Sequence, residues 1–507
     1  MCGIFASNDP FVKKKHEKLI NKYLYHRGPD FQSGLLSINN FKLYHSRLVI
    51  IGNDKKYNQP YHCNDGSILL FNGEIFNYKE LSLKYNIKNI ESDTHLLSEI
   101  IIKKNFDPNE LDGFFSIIRI SKDGKILNCI RDHFGVKPLY YFKRKGFISI
   151  CSEPAILKLI FNLKVNESAI EEYKIFRYPL FSNSFYSGIE ELMPGNCLIN
   201  GEFFNSLNFY TKYFQRLSLI NLEKKIKISI NSRLVSDVPV ALLLSSGIDS
   251  NLIKYFSGNI KFYTGGFEDD IDYLFLKKNK TANLSFIKIN KNNFIDRFNS
   301  LLNLRQEPLS VPNEVVLSMI ADQCKNDGYK VLLSGEGADE FFGGYDRIFG
   351  LFSKIQKFNL DEFCKLYCYG VIDKNSLYYN KLSDFFRKIN YLSPFEMVRQ
   401  FFIKHHLRIL FRRLDFSLMS SGVEGREPLA SKILFEFAMR VKSKSLIQKD
   451  IGKKPLRDIS QKYYGKDFAY SKKIGFPINL KRIFNEPQFS SYNNYDIWFK
   501  KNLEILI

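Results

Sequence analysis

Tryptophan is nearly missing from this chain of 507 residues, which has one, and the eight cysteines follow no recognisable pattern. The cysteines lack the spacing of a disulfide framework or of a zinc site. Long hydrophobic runs are missing too, since stretches such as Val240–Leu244 fall far short of the roughly 18 residues that a membrane span needs. The N-terminus lacks the basic flank and apolar core of a signal peptide. We therefore expect a cytoplasmic chain without membrane contact.

Acidic residues are in deficit, because 74 lysines and arginines face 53 aspartates and glutamates and give a net charge of +21. Such an excess is typical of nucleic-acid binders when it gathers in one patch. Here the lysines are spread along the chain, and no RNA-recognition or zinc-finger signature accompanies them. The excess indicates a lysine-rich composition, and we expect no nucleic-acid partner.

The chain is too long for one hydrophobic core, and its texture changes near the middle. In the first part, short apolar runs such as Ser67–Phe71 and Phe147–Cys151 alternate with turn residues, which predicts antiparallel sheet with a few helices. Further on, apolar runs such as Val238–Leu244 and Tyr329–Leu333 alternate with helical stretches, which is typical of a parallel sheet with helices on both faces. We predict two domains, 1–212 and 213–507, the second with a helical C-terminal part.

Cys2 directly follows the initiator methionine. Removal of that methionine would leave Cys2 with a free α-amino group, which titrates near ~8 in model peptides. A thiol nucleophile and an amine base would then belong to one residue, which is the arrangement of N-terminal nucleophile enzymes. The position predicts that Cys2 is a catalytic nucleophile.

Six sequence blocks support this prediction, because they occur in the order of the class II glutamine amidotransferase domain. Residues 1–210 resemble that domain throughout. The resemblance implies an α+β N-terminal nucleophile hydrolase fold, with antiparallel sheets between helices. The blocks are Cys2-Gly-Ile, Arg27-Gly-Pro-Asp30, Ser46-Arg-Leu48, Phe71-Asn-Gly-Glu-Ile75, Ser92-Asp-Thr94 and Arg131-Asp-His-Phe-Gly-Val-Lys-Pro138.

The resemblance also implies roles for the matching residues. Arg47 would pair with the α-carboxylate of glutamine, which suits a guanidinium with two parallel donors. Asn72 and the backbone N–H of Gly73 would form the oxyanion hole of the catalytic site around Cys2. The implied glutamine-binding residues are Arg47, Leu48, Asn72, Gly73, Glu74 and Asp93.

A second motif, Leu-Leu-Ser-Ser-Gly-Ile-Asp-Ser at 243–250, lies where a predicted strand meets a predicted helix. Small residues there let backbone N–H groups approach a phosphate at the helix N-terminus. The Walker lysine is missing, so this is not the ordinary nucleoside-triphosphatase loop. The motif resembles the pyrophosphatase loop of enzymes that cleave ATP between the α- and β-phosphates, with Ser246 in place of a glycine. A side chain there crowds the phosphate only if φ is positive.

The block Leu333–Tyr345 follows another predicted strand and resembles the asparagine synthetase signature. The resemblance implies that Asp249 and Asp339 bind Mg²⁺, which prefers carboxylate oxygens. It also implies that Glu336 is the acid–base residue near an acyl-adenylate. Lys453 and Lys473 are candidates for neutralising the departing pyrophosphate. The implied ATP-binding residues are Leu244, Ser245, Ser246, Gly247, Asp249, Ser250, Gly265, Ser334, Gly335, Lys453 and Lys473.

Together the two halves resemble the glutamine-hydrolysing asparagine synthetase family. The resemblance implies that ATP and Mg²⁺ adenylate a carboxylic acid while Cys2 releases ammonia from glutamine. We expect the ammonia to cross between the sites through an internal passage lined by apolar or small side chains. The family also suggests a homodimer.

Aspartate is the expected acceptor, and a uronic-acid sugar in cell-surface polysaccharide synthesis is the alternative. The shared motifs handle ATP and glutamine, so they do not separate these acceptors. Specificity is expected to reside in residues 268–290, which lack the family's histidine, and in Gln306–Pro312. A more distant alternative is a non-catalytic protein that binds glutamine or a nucleotide. Loss of Cys2, Asp249, Glu336 or Asp339 would indicate it, yet all four residues are present.

Overall fold

The computed structural model describes residues 2–199, 202–205, 215–471, 478–489 and 491–506. Over these residues, two antiparallel sheets precede one parallel sheet, as the sequence predicts. The predicted boundary between residues 212 and 213 lies outside the described residues. No described helix is long and apolar enough to cross a membrane.

The strands in the described residues are β1 (Cys2–Ser7), β2 (Phe31–Gln32), β3 (Leu36–Ile38), β4 (Phe41–Arg47), β5 (Tyr61–His62), β6 (Ile68–Ile75), β7 (Gly113–Ile120), β8 (Ile126–Arg131), β9 (Tyr140–Arg144), β10 (Phe147–Cys151), β11 (Ile189–Glu191), β12 (Asn196–Ile199), β13 (Glu202–Asn205), β14 (Val240–Leu243), β15 (Lys261–Gly266), β16 (Leu284–Lys288), β17 (Val331–Leu333) and β18 (Glu424–Arg426).

The α-helices in the same ranges are α1 (Glu17–Leu24), α2 (Tyr78–Lys84), α3 (Asp93–Ile100), α4 (Pro154–Phe161), α5 (Glu167–Phe176), α6 (Leu219–Arg233), α7 (Ile248–Ser257), α8 (Ile271–Lys278), α9 (Lys291–Arg305), α10 (Asn313–Asn326), α11 (Ala338–Phe342), α12 (Asp346–Phe352), α13 (Leu360–Tyr367), α14 (Leu377–Arg387), α15 (Pro394–Phe401), α16 (Leu407–Met419), α17 (Lys432–Arg440), α18 (Lys454–Tyr464), α19 (Lys466–Ala469), α20 (Leu480–Ile483) and α21 (Asn494–Leu503).

The first half is two antiparallel sheets packed face to face. One has the strand order β11-β9-β10-β1-β4-β2, with β3 also on β4, and the other β13-β12-β8-β7-β6-β5. Alternate residues on each strand point to the same face, and Ile4, Leu43, Leu70 and Ile118 belong to one buried cluster between the sheets. This packing places the start of β1 beside β6.

The second half is built on a parallel sheet with the strand order β16-β15-β14-β17-β18. The predicted strand at 238–244 is shorter in the structure, from Val240 to Leu243, because Pro239 has no N–H to donate to a ladder. The chain runs from β14 outward to β16 and then returns to the other side of β14 with β17. The switch of direction between β14 and β17 is the place where open α/β sheets bind ligands.

Helices cover this sheet and form the C-terminal part. One helix of this predicted helical part is α17, which buries Leu434, Phe435 and Phe437. Between α15 and α16 the chain forms a π-helical segment, Phe402–His406. Such segments are rare and occur frequently at functional sites.

Candidate active sites

Cys2 lies at the start of β1 and is buried. Its backbone nitrogen donates a hydrogen bond to Asn72 Oδ1 at 2.9 Å, and Arg47 lies opposite it in the β1–β4 pairing. Burial raises the pKa of the Cys2 thiol. The thiol is therefore protonated at neutral pH and needs a base to become a nucleophile. The Cys2 nitrogen, as a free α-amine, would supply that base from the same residue.

The two predicted oxyanion donors are neighbours on β6. Asn72 Nδ2 is buried and has no acceptor among the described residues. Gly73 has a φ of +144°, and a Cβ there would stand 1.9 Å from the carbonyl oxygen of Phe114 on β7. Only glycine fits this position. Leaving a buried amide donor unpaired is unfavourable, and an oxyanion formed next to Cys2 is an acceptor that this donor suits.

Arg47 is anchored by the loop that follows β4. Its Nη1 donates to Asp54 O at 3.1 Å and to Asn58 Oδ1 at 2.8 Å, and its Nη2 donates to the carbonyl oxygen of Gly52. The neighbouring residue, Leu48, makes a backbone hydrogen bond to the Cys2 thiol. The loop thus fixes the guanidinium near the nucleophile before any substrate binds.

Glu74 and Asp93 form a buried pair of carboxyl groups. Asp93 begins α3 and accepts hydrogen bonds from the backbone N–H groups of Ile75 at 3.1 Å and Thr94 at 2.7 Å. Burial raises the pKa of both carboxyl groups, and the charge of Asp93 raises the pKa of Glu74 further. Two buried carboxyl groups side by side favour a cation next to them. The α-ammonium group of an amino acid has the required charge.

The loop between β14 and α7 is held by side chains of the helix that follows it. Ser250 Oγ donates to Ser245 O at 3.1 Å and accepts from Ser245 N at 3.2 Å. Asn251 Nδ2 donates to the carbonyl oxygens of Ser245 at 2.9 Å and Gly247 at 2.8 Å. These bonds fix the shape of the loop where it enters the N-terminus of α7, and a helix N-terminus favours a phosphate.

Ser246 replaces a glycine of the pyrophosphatase loop without backbone strain. It is not among the described residues with positive φ, so its Cβ has little conformational cost. Its N–H donates to Asp272 Oδ1 at 2.9 Å. Asp272 belongs to α8, within the stretch that departs from the family pattern. A phosphate oxygen at this amide would have to displace Asp272.

A cavity of about 370 Å³ opens at the carboxyl ends of β14, β15 and β17. Leu244, Ser245, Ser246, Gly247, Asp249, Ser250, Gly265, Ser334, Gly335, Glu336 and Asp339 all line it. A Cβ on Gly335 would stand 2.9 Å from Asp249 Cβ, and one on Gly265 would stand 2.9 Å from a side chain of α10. Glycine at both positions lets neighbouring elements come close enough to shape the cavity.

Lys453 joins the two predicted Mg²⁺ ligands. Its Nζ lies 2.7 Å from Asp249 Oδ2 and 2.7 Å from Asp339 Oδ1, and the lysine is 1% exposed. Room for this group depends on Gly344, where a Cβ would stand 1.9 Å from Asp339 Oδ1. The structure thus brings together both carboxylates and one of the two predicted lysines. The other, Lys473, lies outside the described residues.

Glu336 is paired with a cation that the motifs did not indicate. It forms an ion pair with Arg413 of α16, and both residues line the cavity. Further along the same wall, Glu340 accepts a hydrogen bond from Tyr345 Oη at 2.6 Å, and Tyr345 Oη lies 3.2 Å from His406 Nε2 in the π-helical segment. Burial raises the pKa of Glu340 to about 7. Glu340 is therefore the group of these three that can exchange a proton near neutral pH.

Buried contacts connect the two sites. Arg27 Nε donates to Cys2 O at 3.2 Å, and Arg27 Nη2 donates to Asp415 Oδ2 at 2.8 Å. Lys137 Nζ lies 3.4 Å from the other oxygen of Asp415. Phe134 of the first half packs against two phenylalanine rings of the second half, one tilted and one edge-on, at centroid distances of 5.3 and 5.4 Å. The interface is therefore both charged and apolar.

The sequence motifs do not indicate four of the residues that the structure places around the second site. Asn251 directly follows the loop motif, Gly344 lies inside the block Leu333–Tyr345, and Arg413 lies outside the blocks named above. The motifs therefore point to the neighbourhood of Asn251 and Gly344, but the contacts of these residues follow only from the structure. Asp272 had no signal beyond being a carboxylate in an irregular stretch.

Comparison with known proteins agrees with the two-part organisation. A family model described as asparagine synthase matches residues 221–493, and one described as glutamine amidotransferase domain matches residues 1–212. The site built on Cys2, joined to a second site at the end of a parallel sheet, defines a glutamine-dependent amidotransferase. Because the first model covers more than half of the chain, the chain belongs to the asparagine synthase family.

Individual relatives are distant. The chain is 29% identical over 376 residues to asparagine synthetase [glutamine-hydrolyzing] 1 of Bacillus subtilis, a match that covers 68% of this chain and 59% of that protein. It is 26% identical over 522 residues to a probable asparagine synthetase of Acanthamoeba polyphaga mimivirus, covering 94% and 85%. It is also 26% identical over 367 residues to an amidase, chyE, of Penicillium rubens, covering 63% and 53%.

Proposed function

We propose that this chain hydrolyses glutamine at Cys2 and uses the ammonia to amidate a carboxylic acid that ATP has activated as an acyl-adenylate. Aspartate is the acceptor that we favour. The observation that carries the proposal is a chain of buried contacts from Cys2 through Arg27 to Asp415. Asp415 lies on α16, the helix that also carries Arg413 of the second site. The products would be asparagine, glutamate, AMP and pyrophosphate.

In the first site, the α-amine of Cys2 would take the thiol proton, and the thiolate would attack the side-chain amide of glutamine. Asn72 Nδ2 and the Gly73 N–H are the donors for the resulting oxyanion. The amine then returns the proton to the leaving nitrogen, which departs as ammonia. Water hydrolyses the thioester and releases glutamate. Arg47 and the carboxyl pair of Glu74 and Asp93 would hold the α-carboxylate and α-ammonium groups.

In the second site, a carboxylate oxygen of the acceptor would attack the α-phosphorus of ATP, and pyrophosphate would leave. Lys453 lies beside Asp249 and faces a second cavity, of about 690 Å³, on the far side of the loop. Arg457 and Lys254 also line that cavity. Three cations there suit a departing polyanion, and ammonia would then attack the acyl carbon from the side of Glu336.

Two carboxylates fit Mg²⁺ when phosphate oxygens and water complete its shell, which is the usual way proteins bind this ion. Asp249 and Asp339 converge on one ammonium group, so they can also converge on one ion. No group of three or more candidate metal ligands occurs among the described residues. When bound, Mg²⁺ would neutralise charge on the pyrophosphate.

A uronic-acid sugar stays the alternative acceptor, because the motifs do not separate it from aspartate. Both predicted specificity segments border the second site: Asp272 contacts the ATP loop, and Asn313, which begins α10 directly after the other segment, lines the cavity. The homodimer and the cytoplasmic location stay predictions from the sequence.

The decisive experiment measures pyrophosphate release with ATP, Mg²⁺ and glutamine, comparing aspartate, a panel of uronic acids and no acceptor. We expect release with aspartate and formation of asparagine. Cys2→Ala should abolish amide formation from glutamine and retain it with ammonium chloride. Pyrophosphate release only with a sugar acid would identify that acid as the acceptor and leave the proposed mechanism unchanged. No release with any acceptor, although glutamine is hydrolysed, would contradict the proposed ATP chemistry.

A further inference from the structure

Glu427 is a buried acid to which neither site assigns a role. Its side chain is 0% exposed, and neither carboxyl oxygen has a hydrogen-bond partner among the described residues. Burying an unpaired carboxyl group is strongly unfavourable. A residue placed only for packing would not keep both oxygens unsatisfied, so the site around Glu427 is expected to take a hydrogen-bonding ligand.

The position of Glu427 lies between the two sites. It directly follows β18, whose Arg426 pairs with Leu333 of the neighbouring β17, and Ser334 N donates to Arg426 O at 2.8 Å. Glu427 therefore stands at the same sheet edge as Glu336. On the other side it faces groups of the interface with the first half.

The charges around Glu427 are mostly of its own sign. Lys137 and Asp132, which follow β8, face it from the first half, while Asp415 of α16 and Glu336 face it from the second. Lys137 is already engaged with Asp415 at 3.4 Å. Burial raises the pKa of Glu427 to about 8, and the nearby carboxylates add to this effect.

We propose that Glu427 binds the ammonia in transit between the two sites, an inference that rests on the proposed function. A protonated carboxyl group donates O–H to the nitrogen lone pair, and an ionised one accepts N–H from ammonium. The two forms are one complex, because the proton of the carboxyl group moves to NH₃ to give a carboxylate and NH₄⁺ and moves back when NH₃ leaves. No proton is gained or lost overall.

The location of Glu427 would protect the ammonia bound to it. The contact chain Cys2–Arg27–Asp415–Lys137 ends at a lysine whose charge acts on Glu427, and Glu336 on the adenylate side acts on Glu427 as well. Ammonia held here is protected from bulk water and lies beside the group predicted to act on the acyl-adenylate. Glu427 is accordingly a positioning residue that keeps ammonia from escaping.

One test is independent of catalysis. Infrared spectra of the whole chain should contain the carbonyl band of a buried protonated carboxyl group that Glu427→Gln removes. We expect ammonium chloride, but not sodium chloride, to diminish that band. A band that ammonium leaves unchanged would overturn the proposal. Glu172→Gln is the matched control, because Glu172 is equally buried and is already satisfied by Ser182.

The second test measures glutamate released per pyrophosphate released, with aspartate as acceptor. Glu427→Gln should raise this ratio by about tenfold, the factor expected for losing a hydrogen bond to a charged group. Glu427→Asp should couple the two sites better than Glu427→Gln, since it keeps an ionisable carboxyl group. A packing role predicts the opposite order, because glutamine is the closer match in shape, and that order would refute the inference.

The two tests separate the inference from the proposed function. If the wild-type chain releases no pyrophosphate with aspartate, the proposed acceptor fails, while the infrared titration still decides whether Glu427 binds ammonium. If the wild-type chain is active and the ratio is the same in Glu427→Gln and the wild type, the role of Glu427 fails and the proposed function stands.

Discussion

Gly73→Ala is expected to disable glutamine hydrolysis through the backbone alone. The new Cβ would stand 1.9 Å from the carbonyl oxygen of Phe114, and that atom belongs to the central pairing of β6 with β7, so it cannot rotate away. Relief requires the strands to separate or the φ of +144° to change. Either movement displaces the Gly73 N–H from its place beside Asn72.

The magnitude follows from two effects. Overpacking a fixed backbone contact costs about 1–3 kcal/mol of stability, and losing one oxyanion donor lowers kcat by about 10²–10³-fold. We therefore expect glutaminase activity to fall at least about a hundredfold, while the protein stays folded. Glutaminase assays and thermal unfolding measure the two quantities separately.

Gly66→Ala is the matched control for this prediction. Gly66 also has a positive φ, of +80°, but its nearest neighbour would be a flexible lysine atom at 3.5 Å. This variant should lose a little stability and no glutaminase activity. Amide formation from ammonium chloride should survive in both variants. If Gly73→Ala hydrolyses glutamine at the wild-type rate, the oxyanion role argued from this geometry is refuted.

Three further predictions concern the two sites. Lys453→Met removes the cation between Asp249 and Asp339, so we expect pyrophosphate release to be lost. The free energy of unfolding should fall by about 3–5 kcal/mol, as when one partner of a buried ion pair is removed. Unchanged pyrophosphate release would exclude the lysine from the ATP chemistry. Glutamine binding should weaken as pH falls through the raised pKa of Glu74 and its partner, because protonated carboxyl groups cannot pair with an α-ammonium group; KM for glutamine measured against pH tests this, and a flat profile would contradict it. Ser246→Gly should leave pyrophosphate release close to that of the wild type, because the serine backbone is unstrained; a large gain would show that the side chain obstructs phosphate.

The sequence predicts much of the architecture. Alternating short apolar runs predict antiparallel strands, and strand–helix alternation predicts a parallel sheet, because these patterns follow from which side of each element is buried. Cys2 and the loop at 243–250 could be found for a similar reason, since their chemistry depends on residues adjacent in the chain. The structure places these segments at the start of β1 and after β14, where such chemistry has support from neighbouring strands.

Contacts between distant segments could be decided only by the tertiary structure. Lys453 was one of two lysine candidates, and its position beside Asp249 and Asp339 depends on how α18 packs against α7 and α6. The motifs assign no role to Arg413 or Glu427, yet Arg413 pairs with Glu336 and the charge of Glu336 acts on the buried Glu427. Sequence patterns report the periodicity of burial within an element. They do not report which charged groups from separate elements share one buried space, and it is that sharing which joins the two sites of this protein.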